Sequence, residues 1–233
     1  MNHLFRHGLL FCLLGFGIFL RFFQLGTESF WSDELMTLYY ALAPESWLSV
    51  FTHSLLEGET HPWAYHYLLR LMSFFGHGEI IYRFPAALFS SLALYYFYRL
   101  LRKFFFLGPG PAKDQALIAL TLLIFSHSAL WYAQEVRNYS MYLCAFIMAW
   151  YYLLHARNGK ITWALPCTLI LLGNVHFMGT ILALWMLCHA LYFYKKKILV
   201  IENKQSLIYL VVTAVGLLPA LGQLFYLTFF NRE

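Results

Sequence analysis

Charge is scarce in this chain. Only 12% of its 233 residues are Asp, Glu, Lys or Arg, about half the share of an ordinary soluble domain. A chain this poor in charge is neither a solvated disordered segment nor a basic nucleic-acid binder, and no aromatic spacing argues for nucleic acid. Cysteine is equally sparse. Cys12, Cys144, Cys167 and Cys188 all lie in apolar runs without a C-x-x-C pair. That excludes a disulfide framework and a zinc site and leaves small packing residues. The chain also lacks an H-E-x-x-H, G-x-S-x-G, Walker or EF-hand motif, so metalloprotease, serine-hydrolase, P-loop and calcium-binding chemistry have no foothold.

Apolar residues dominate instead, at 61%, with 20% aromatic. A soluble core of this size could not hide so much apolar surface, so the composition predicts an all-α polytopic membrane protein. Runs of the required length read as seven spans, at 8–25, 80–101, 115–131, 139–155, 161–175, 177–194 and 207–230, within one membrane domain covering 1–233. The first run follows Arg6-His7 and lacks a small-residue cleavage site, so it reads as an uncleaved span. Gly173-Asn174-Val175-His176 and Gly179 supply the turn of a tight hairpin between the fifth and sixth. Trp131-Tyr132 and Tyr192–Tyr194 suit membrane interfaces.

The apolar run 62–75 is about 14 residues long and carries His66 and Arg70, which suits an interfacial helix better than a span. Charge placement decides the matter. With 62–75 on the surface and the N-terminus cytoplasmic, Arg6, Arg99, Arg102, Lys103, Lys113, Arg157, Lys160, Lys195, Lys196, Lys197 and Lys204 all face the cytoplasm, 11 of the 16 basic residues. The outer loop 26–79 then holds Arg70 alone against Glu28, Asp33, Glu34, Glu45, Glu57, Glu59 and Glu79. Making 62–75 a span would invert every later loop against the positive-inside rule. The predicted location is the plasma (inner) membrane, with the acidic loop on the outer, periplasmic side.

A loop of this length is uncommon unless it works. It opens on Ser29-Phe30-Trp31-Ser32-Asp33-Glu34, followed by Leu35, Leu38, Tyr39 and Leu42. This spacing predicts a surface helix with Ser32 as N-cap and Asp33 and Glu34 in the first turn. Two readings follow for the acids: complements of the helix dipole, or a general base that takes a proton from an acceptor hydroxyl. Thr60-His61-Pro62-Trp63 begins the second surface helix, with Pro62 at its first position; His61 is then either an ordinary surface histidine or a contact to acceptor or phosphate. The short outer connection Gln134-Glu135-Val136-Arg137-Asn138-Tyr139-Ser140 holds Glu135 and Arg137 at the membrane surface. They read either as a mutually compensating pair or, for Arg137, as a phosphate contact. Arg21 and Arg83 lie near the outer ends of their spans. Three arginines beside an acidic loop suggest a site for an anionic lipid headgroup. His176, at the outer turn of the hairpin, reads as a phosphate or metal contact or as a partner of backbone carbonyls.

Four stretches occur in a telling order: Trp31-Ser32-Asp33-Glu34; His61-Pro62 with Tyr65 and Tyr67; Arg83-Phe84-Pro85; and Gln134 to Ser140. Over nearly its whole length the chain resembles the polyprenyl-phosphate-sugar-dependent glycosyltransferases of the GT-C fold. The nearest branch is glycosyltransferase family 39-like, related to protein O-mannosyltransferases and the lipid A aminoarabinose transferase. The resemblance implies inverting transfer of a sugar from a polyprenyl-phosphate donor to a lipid, glycan or protein acceptor at the outer face. Asp33 maps onto the catalytic base, with Glu34 its neighbour, and Arg137 onto the donor-phosphate contact; Arg83 and Arg21 are further candidate phosphate cations by their placement at the span ends. Gln134, Glu135 and Tyr139 map onto the family's Gln-Glu-x-Arg-x-Tyr motif, and His61, Tyr65 and His176 join them as candidate substrate contacts. Tryptophan at 63 and His127 replace prolines of the family pattern. Members of the family continue through further spans, so the resemblance is to their N-terminal catalytic half, and a second subunit or a C-terminal half is an expected partner. No cofactor is required; a divalent metal would find donors at Glu135 and His176. Two rivals stand beside this reading. A transporter or lipid flippase would place charges or repeats near the midplane, where this sequence has almost none. A non-catalytic partner subunit would suit the short length.

Overall fold

The computed structural model describes residues 3–56, 59, 61–105, 111–157, 161–195 and 204–229, and every regular element among them is helical. In chain order these are α1 (His3–Phe22), α2 (Ser32–Leu42), α3 (Trp47–Leu56), α4 (Ala64–Met72), α5 (Glu79–Leu100), α6 (Pro111–Ile124), α7 (His127–Trp131), α8 (Tyr139–Arg157), α9 (Ala164–Val175), α10 (Phe177–Lys195) and α11 (Lys204–Phe229). Glu57, Lys160, Lys196 and Lys197, which enter the charge count, lie outside the described residues.

Among the described residues three stretches are long and apolar enough to cross a membrane: Leu4–Phe22, Glu79–Phe105 and Leu207–Phe229. A fourth is reached if Asp114–Ile124 and His127–Gln134, bent by 61°, form one broken span. The run 115–131, expected as one span, is thus a bent pair of helices rather than one continuous helix. The break falls at Ser126, whose extended backbone (φ −62°, ψ 119°) starts α7 afresh and whose side chain accepts the Ala129 N–H, an N-cap in mid-run. Helix α8 has 19 residues, but Tyr139, Tyr142, Tyr151, Tyr152 and His155 dilute its apolar character. Helices α9 and α10 are shorter apolar helices; the 12 residues of α9 rise only about 18 Å.

The stretch expected along the interface forms α4 and a 3-10 turn, Ser73–Phe75. Nine residues span about 14 Å, half of the roughly 30 Å hydrocarbon core. Its charge has a local use: Arg70 Nη1 donates to Pro44 O at 2.7 Å and Ala41 O at 3.3 Å, closing the carbonyl end of α2. Leu38 and Ala41 of α2 bury against Tyr65 and Leu69 of α4, Tyr82 of α5, Val136 and Val175. This cluster fastens the 26–79 segment onto the ends of the longer helices. Leu69 is fully buried there, and truncating it to alanine would cost about 2–5 kcal/mol.

The second core joins α8 to α11 through Ala145, Ala149, Leu165, Leu169, Leu172, Ala183, Met186 and Leu217. The turn between α9 and α10 is tighter than its glycines suggested. Gly173 and Asn174 remain helical and His176 alone breaks the path, with φ −152° and ψ 142°. Gly179 is required by close approach, since a Cβ there would overlap the Leu172 carbonyl. Thr180 Oγ1 donates to Gly173 O at 2.6 Å, and Asn174 Nδ2 donates to Gly216 O at 2.9 Å, pinning α10 and α11 to α9. On the other flank, α1 ends as Gln24 takes a left-handed conformation (φ 56°), and Gln134 Nε2 donates to the free carbonyls of Leu20 and Phe23 at 3.0 Å each.

Candidate functional site

The N-terminus of α2 organises one end of the helix assembly. Its N-cap is Trp31 rather than Ser32. Glu34, three residues on, turns back so that Oε2 accepts the Trp31 N–H at 3.2 Å, half of a capping box. The same carboxylate is buried and reaches two other segments. Arg83 of α5 donates Nε to Oε1 at 2.9 Å and Nη2 to Oε2 at 2.7 Å, and the Val136 N–H donates to Oε1 at 2.8 Å. Arg83 spends its remaining donors on Leu25 O, Glu28 O and Ser29 O. A guanidinium has five N–H groups, and all five are engaged within the protein. Glu34 and Arg83 thus form a post joining α2, α5 and the 134–138 segment, and Arg83 keeps no donor for a phosphate.

Arg21 is also committed. It is fully buried, with Nε donating to Ser90 Oγ at 2.8 Å and Nη1 to Gly17 O at 2.9 Å. It joins α1 to α5 and lines neither of the two polar sites described below. The three arginines expected around one headgroup therefore have different surroundings.

Arg137 stands apart from the other two. Its Nη1 donates to Asp33 O and Thr37 Oγ1, each at 3.3 Å, and Nη2 to Tyr139 Oη at 3.4 Å. These are long bonds, beyond the usual N–H···O range. The Asp33 carboxylate lies 3.9 Å from Nη1 and is about half exposed (51%). The guanidinium also lies over the Tyr139 ring, 5.5 Å from its centroid. A charge held this loosely beside a half-exposed carboxylate can exchange its partners for a ligand.

Around Arg137 the expected substrate residues gather in part. His61 packs edge-on to Tyr139 and His176, with centroids at 6.1 and 5.3 Å, and His176 lies 4.9 Å from Tyr142. Tyr65, His66, Glu59 and Thr37 complete the small pocket beneath Arg137. Glu59 Oε1 contacts His61 Nδ1 at 2.9 Å and accepts its backbone N–H at 2.8 Å. Burial pushes the Glu59 carboxyl up, but the bonds from His61 and the charge of His66 outweigh it and hold it below the ordinary range. Burial, then the charges of His61 and Arg137, pull His176 down to about 4. It is neutral at pH 7, so it offers hydrogen bonds rather than charge. Its Nδ1 accepts the Met178 N–H at 3.1 Å, which places the proton on Nε2. His66 is lowered to about 4, first by burial, and its Nδ1, like the Tyr65 hydroxyl, is buried without a partner. Desolvation raises Tyr65 far above its ordinary value, so it is a neutral phenol.

Gln134 and Glu135 lie on the other side of the Glu34–Arg83 post. They line a separate cleft of about 430 Å³ with Phe23, Trp31, Trp131 and the 24–29 turn. Glu135 and His176 thus belong to different sites. Among the described residues, no group of three or more His, Cys, Asp or Glu side chains is arranged to hold a metal ion.

Several contributors carry little signal in the sequence. Thr37 follows Asp33 by one helical turn, and this spacing alone could have placed it beside Arg137. Glu59 orients His61 from a position that reads as one more loop acid. Trp131 reads as an interfacial aromatic and Trp31 as one residue of the motif that opens the loop, yet both wall a cleft. Comparison with protein-family models, curated proteins and solved structures finds no match.

Proposed function

We propose that the chain is an integral-membrane glycosyltransferase that uses a lipid-phosphate sugar as donor, and that Asp33 and Arg137 are its working pair. The observation that carries this is their juxtaposition: a half-exposed carboxylate 3.9 Å from a guanidinium whose other bonds are long, at the start of a short surface helix. The acceptor hydroxyl attacks the anomeric carbon of the sugar. Its proton passes to the Asp33 carboxylate, and the bond from the anomeric carbon to the phosphate oxygen breaks with its electron pair leaving on the lipid phosphate. Configuration inverts. The phosphate departs as an anion, so the chemistry asks for a base and a cation rather than a protonating acid. Arg137 supplies the cation, in a planar fork suited to phosphate oxygens. Neutral His176 Nε2–H and Tyr139 Oη stand beside it as uncharged donors. Glu34 and Arg83 act as positioning residues that hold α2 against the 134–138 segment.

Seven membrane crossings with a cytoplasmic N-terminus put this pair on the outer face. Helix α8 and the α9–α10 hairpin complete that count beyond the longest apolar helices. A polyprenyl tail would lie in the hydrocarbon while its phosphate meets Arg137. The test is incubation of the purified chain with a radiolabelled polyprenyl-phosphate sugar and a membrane-lipid extract as acceptor. Label passing to an acceptor and lost on Arg137→Ala is the expected result. No transfer, with no binding of the donor, overturns the proposal.

A further inference from the structure

The cleft on the far side of the Glu34–Arg83 post has a chemistry of its own. Glu135 lines it, is only 6% exposed, and has an Oε1 without a hydrogen-bond partner. A buried carboxylate oxygen left bare costs free energy unless a ligand's donor meets it. The neighbouring Gln134 donates both amide hydrogens to Leu20 O and Phe23 O. That fixes its amide orientation and leaves Oε1 as the atom it can offer a ligand. Arg83, the lining cation, has every donor engaged. Glu28 adds a further acid at the exposed edge, and Trp31 and Trp131 form apolar walls. Apart from the Gln24 amide, the Thr27 and Ser29 hydroxyls and the indole N–H groups, the lining side chains present acceptors, negative charge and aromatic faces.

We infer that this cleft binds a primary ammonium group, with Glu135 and Gln134 Oε1 as its acceptors and Trp31 and Trp131 as its aromatic walls. An ammonium has three donors, no acceptor and a positive charge, the complement of that lining, and cations are attracted to indole faces. A phosphate or a sugar carboxylate would meet repulsion. Burial, followed by the charge of Glu34, pushes the Glu135 carboxyl up to about 7, against the smaller opposing effects of a Trp131 hydrogen bond and the Arg137 charge. The inference goes beyond sugar transfer and holds whether or not the chain transfers one. Two sources share this chemistry: the amine headgroup of a lipid, which reaches the cleft from the membrane, and a soluble amine.

The full chain in detergent is presented with phosphatidylethanolamine, phosphatidylcholine and phosphatidylglycerol of matched acyl chains, and bound lipid is counted by native mass spectrometry. In parallel, radiolabelled ethanolamine is measured by equilibrium dialysis. A primary-amine site predicts that phosphatidylethanolamine or ethanolamine is retained and that Glu135→Gln weakens that binding at least about tenfold, the scale of one charge-assisted hydrogen bond. Preference for the amine lipid identifies a headgroup site, and retention of ethanolamine without lipid preference identifies a soluble ligand. Trp31→Leu, which leaves the carboxylate in place, should weaken the same binding several-fold and serves if Glu135→Gln does not fold. Equal retention of the three lipids with no ethanolamine bound overturns the inference. So does amine binding that survives both substitutions.

Discussion

Arg83 grips the Glu34 carboxylate with two parallel bonds, Nε to Oε1 at 2.9 Å and Nη2 to Oε2 at 2.7 Å. The two residues are 49 positions apart. This fork spans from the first turn of α2 to the N-terminal part of the long apolar helix α5, and Val136 N–H closes the third side at 2.8 Å. The pair separates two polar places: Asp33 and Arg137 on one side, Glu135 and its cleft on the other.

A buried pair of this kind is costly to break from one side. Glu34→Gln or Arg83→Met should each lower stability by about 3–5 kcal/mol, because the abandoned charge stays buried. The double variant should lose less than the two single losses combined. Thermal unfolding of the three variants in detergent measures this. Single variants that melt with the parent would show that the pair carries no structural load.

Arg137→Lys keeps the charge but removes the planar fork. Apparent donor affinity should fall by about tenfold, the loss of one charge-assisted bond, while the melting temperature stays near that of the parent, since the Arg137 bonds to protein are long. Titration with a polyprenyl-phosphate sugar reads the first quantity. Unchanged affinity would remove Arg137 from the phosphate site.

Glu135 makes stability depend on pH in a defined direction. Its carboxyl is raised from an ordinary 4.5 to about 7, so the folded state holds its proton more tightly than the unfolded chain. The associated stability is fully present below about 4.5 and is lost as pH rises through about 7. Glu135→Gln, which is neutral throughout, should therefore gain on the parent as pH rises from 5 to 8. Melting curves without added amine at those two pH values give the comparison, and a constant difference would contradict the raised carboxyl.

The membrane arrangement has its own check. With Cys12, Cys144, Cys167 and Cys188 replaced by alanine, a cysteine at Ser46, exposed in the loop, should label from the outer side. One at Lys103, at the far end of the long apolar stretch Glu79–Phe105, should label from the cytoplasmic side. Labelling of both from one side would refute the crossing of that stretch.

The helical class and the longest apolar runs were legible because a bilayer demands them: a continuous apolar stretch of about 20 residues has few other uses. The short helix over Ala64–Met72 was legible from the length of its apolar run, too brief to cross a bilayer. The bend at Ser126 was not, because a serine inside an apolar run gives the same pattern whether it faces solvent or caps a new helix. Asp33 and Glu34, adjacent in sequence, look alike as carboxylates. Their roles divide only in three dimensions, where a step of about 100° around the helix turns Glu34 inward to Arg83 and leaves Asp33 at the surface. The arginines divide for the same reason. Sequence places Arg21, Arg83 and Arg137 near helix ends, but the acceptors that occupy Arg21 and Arg83 are mostly backbone carbonyls, which no residue pattern announces.

Asp33 as general base is tested most directly by comparing Asp33→Asn with Glu45→Gln in a transfer assay with radiolabelled polyprenyl-phosphate sugar. Asparagine preserves size and tolerates the first turn of α2, and donor binding through Arg137 should persist. Loss of general-base assistance should reduce transfer by about 10²–10⁴-fold, with folding retained, while Glu45→Gln stays near the parent. Equal activity in the two variants would make Asp33 an acid that merely complements the start of a helix, and the proposed chemistry would fall with it.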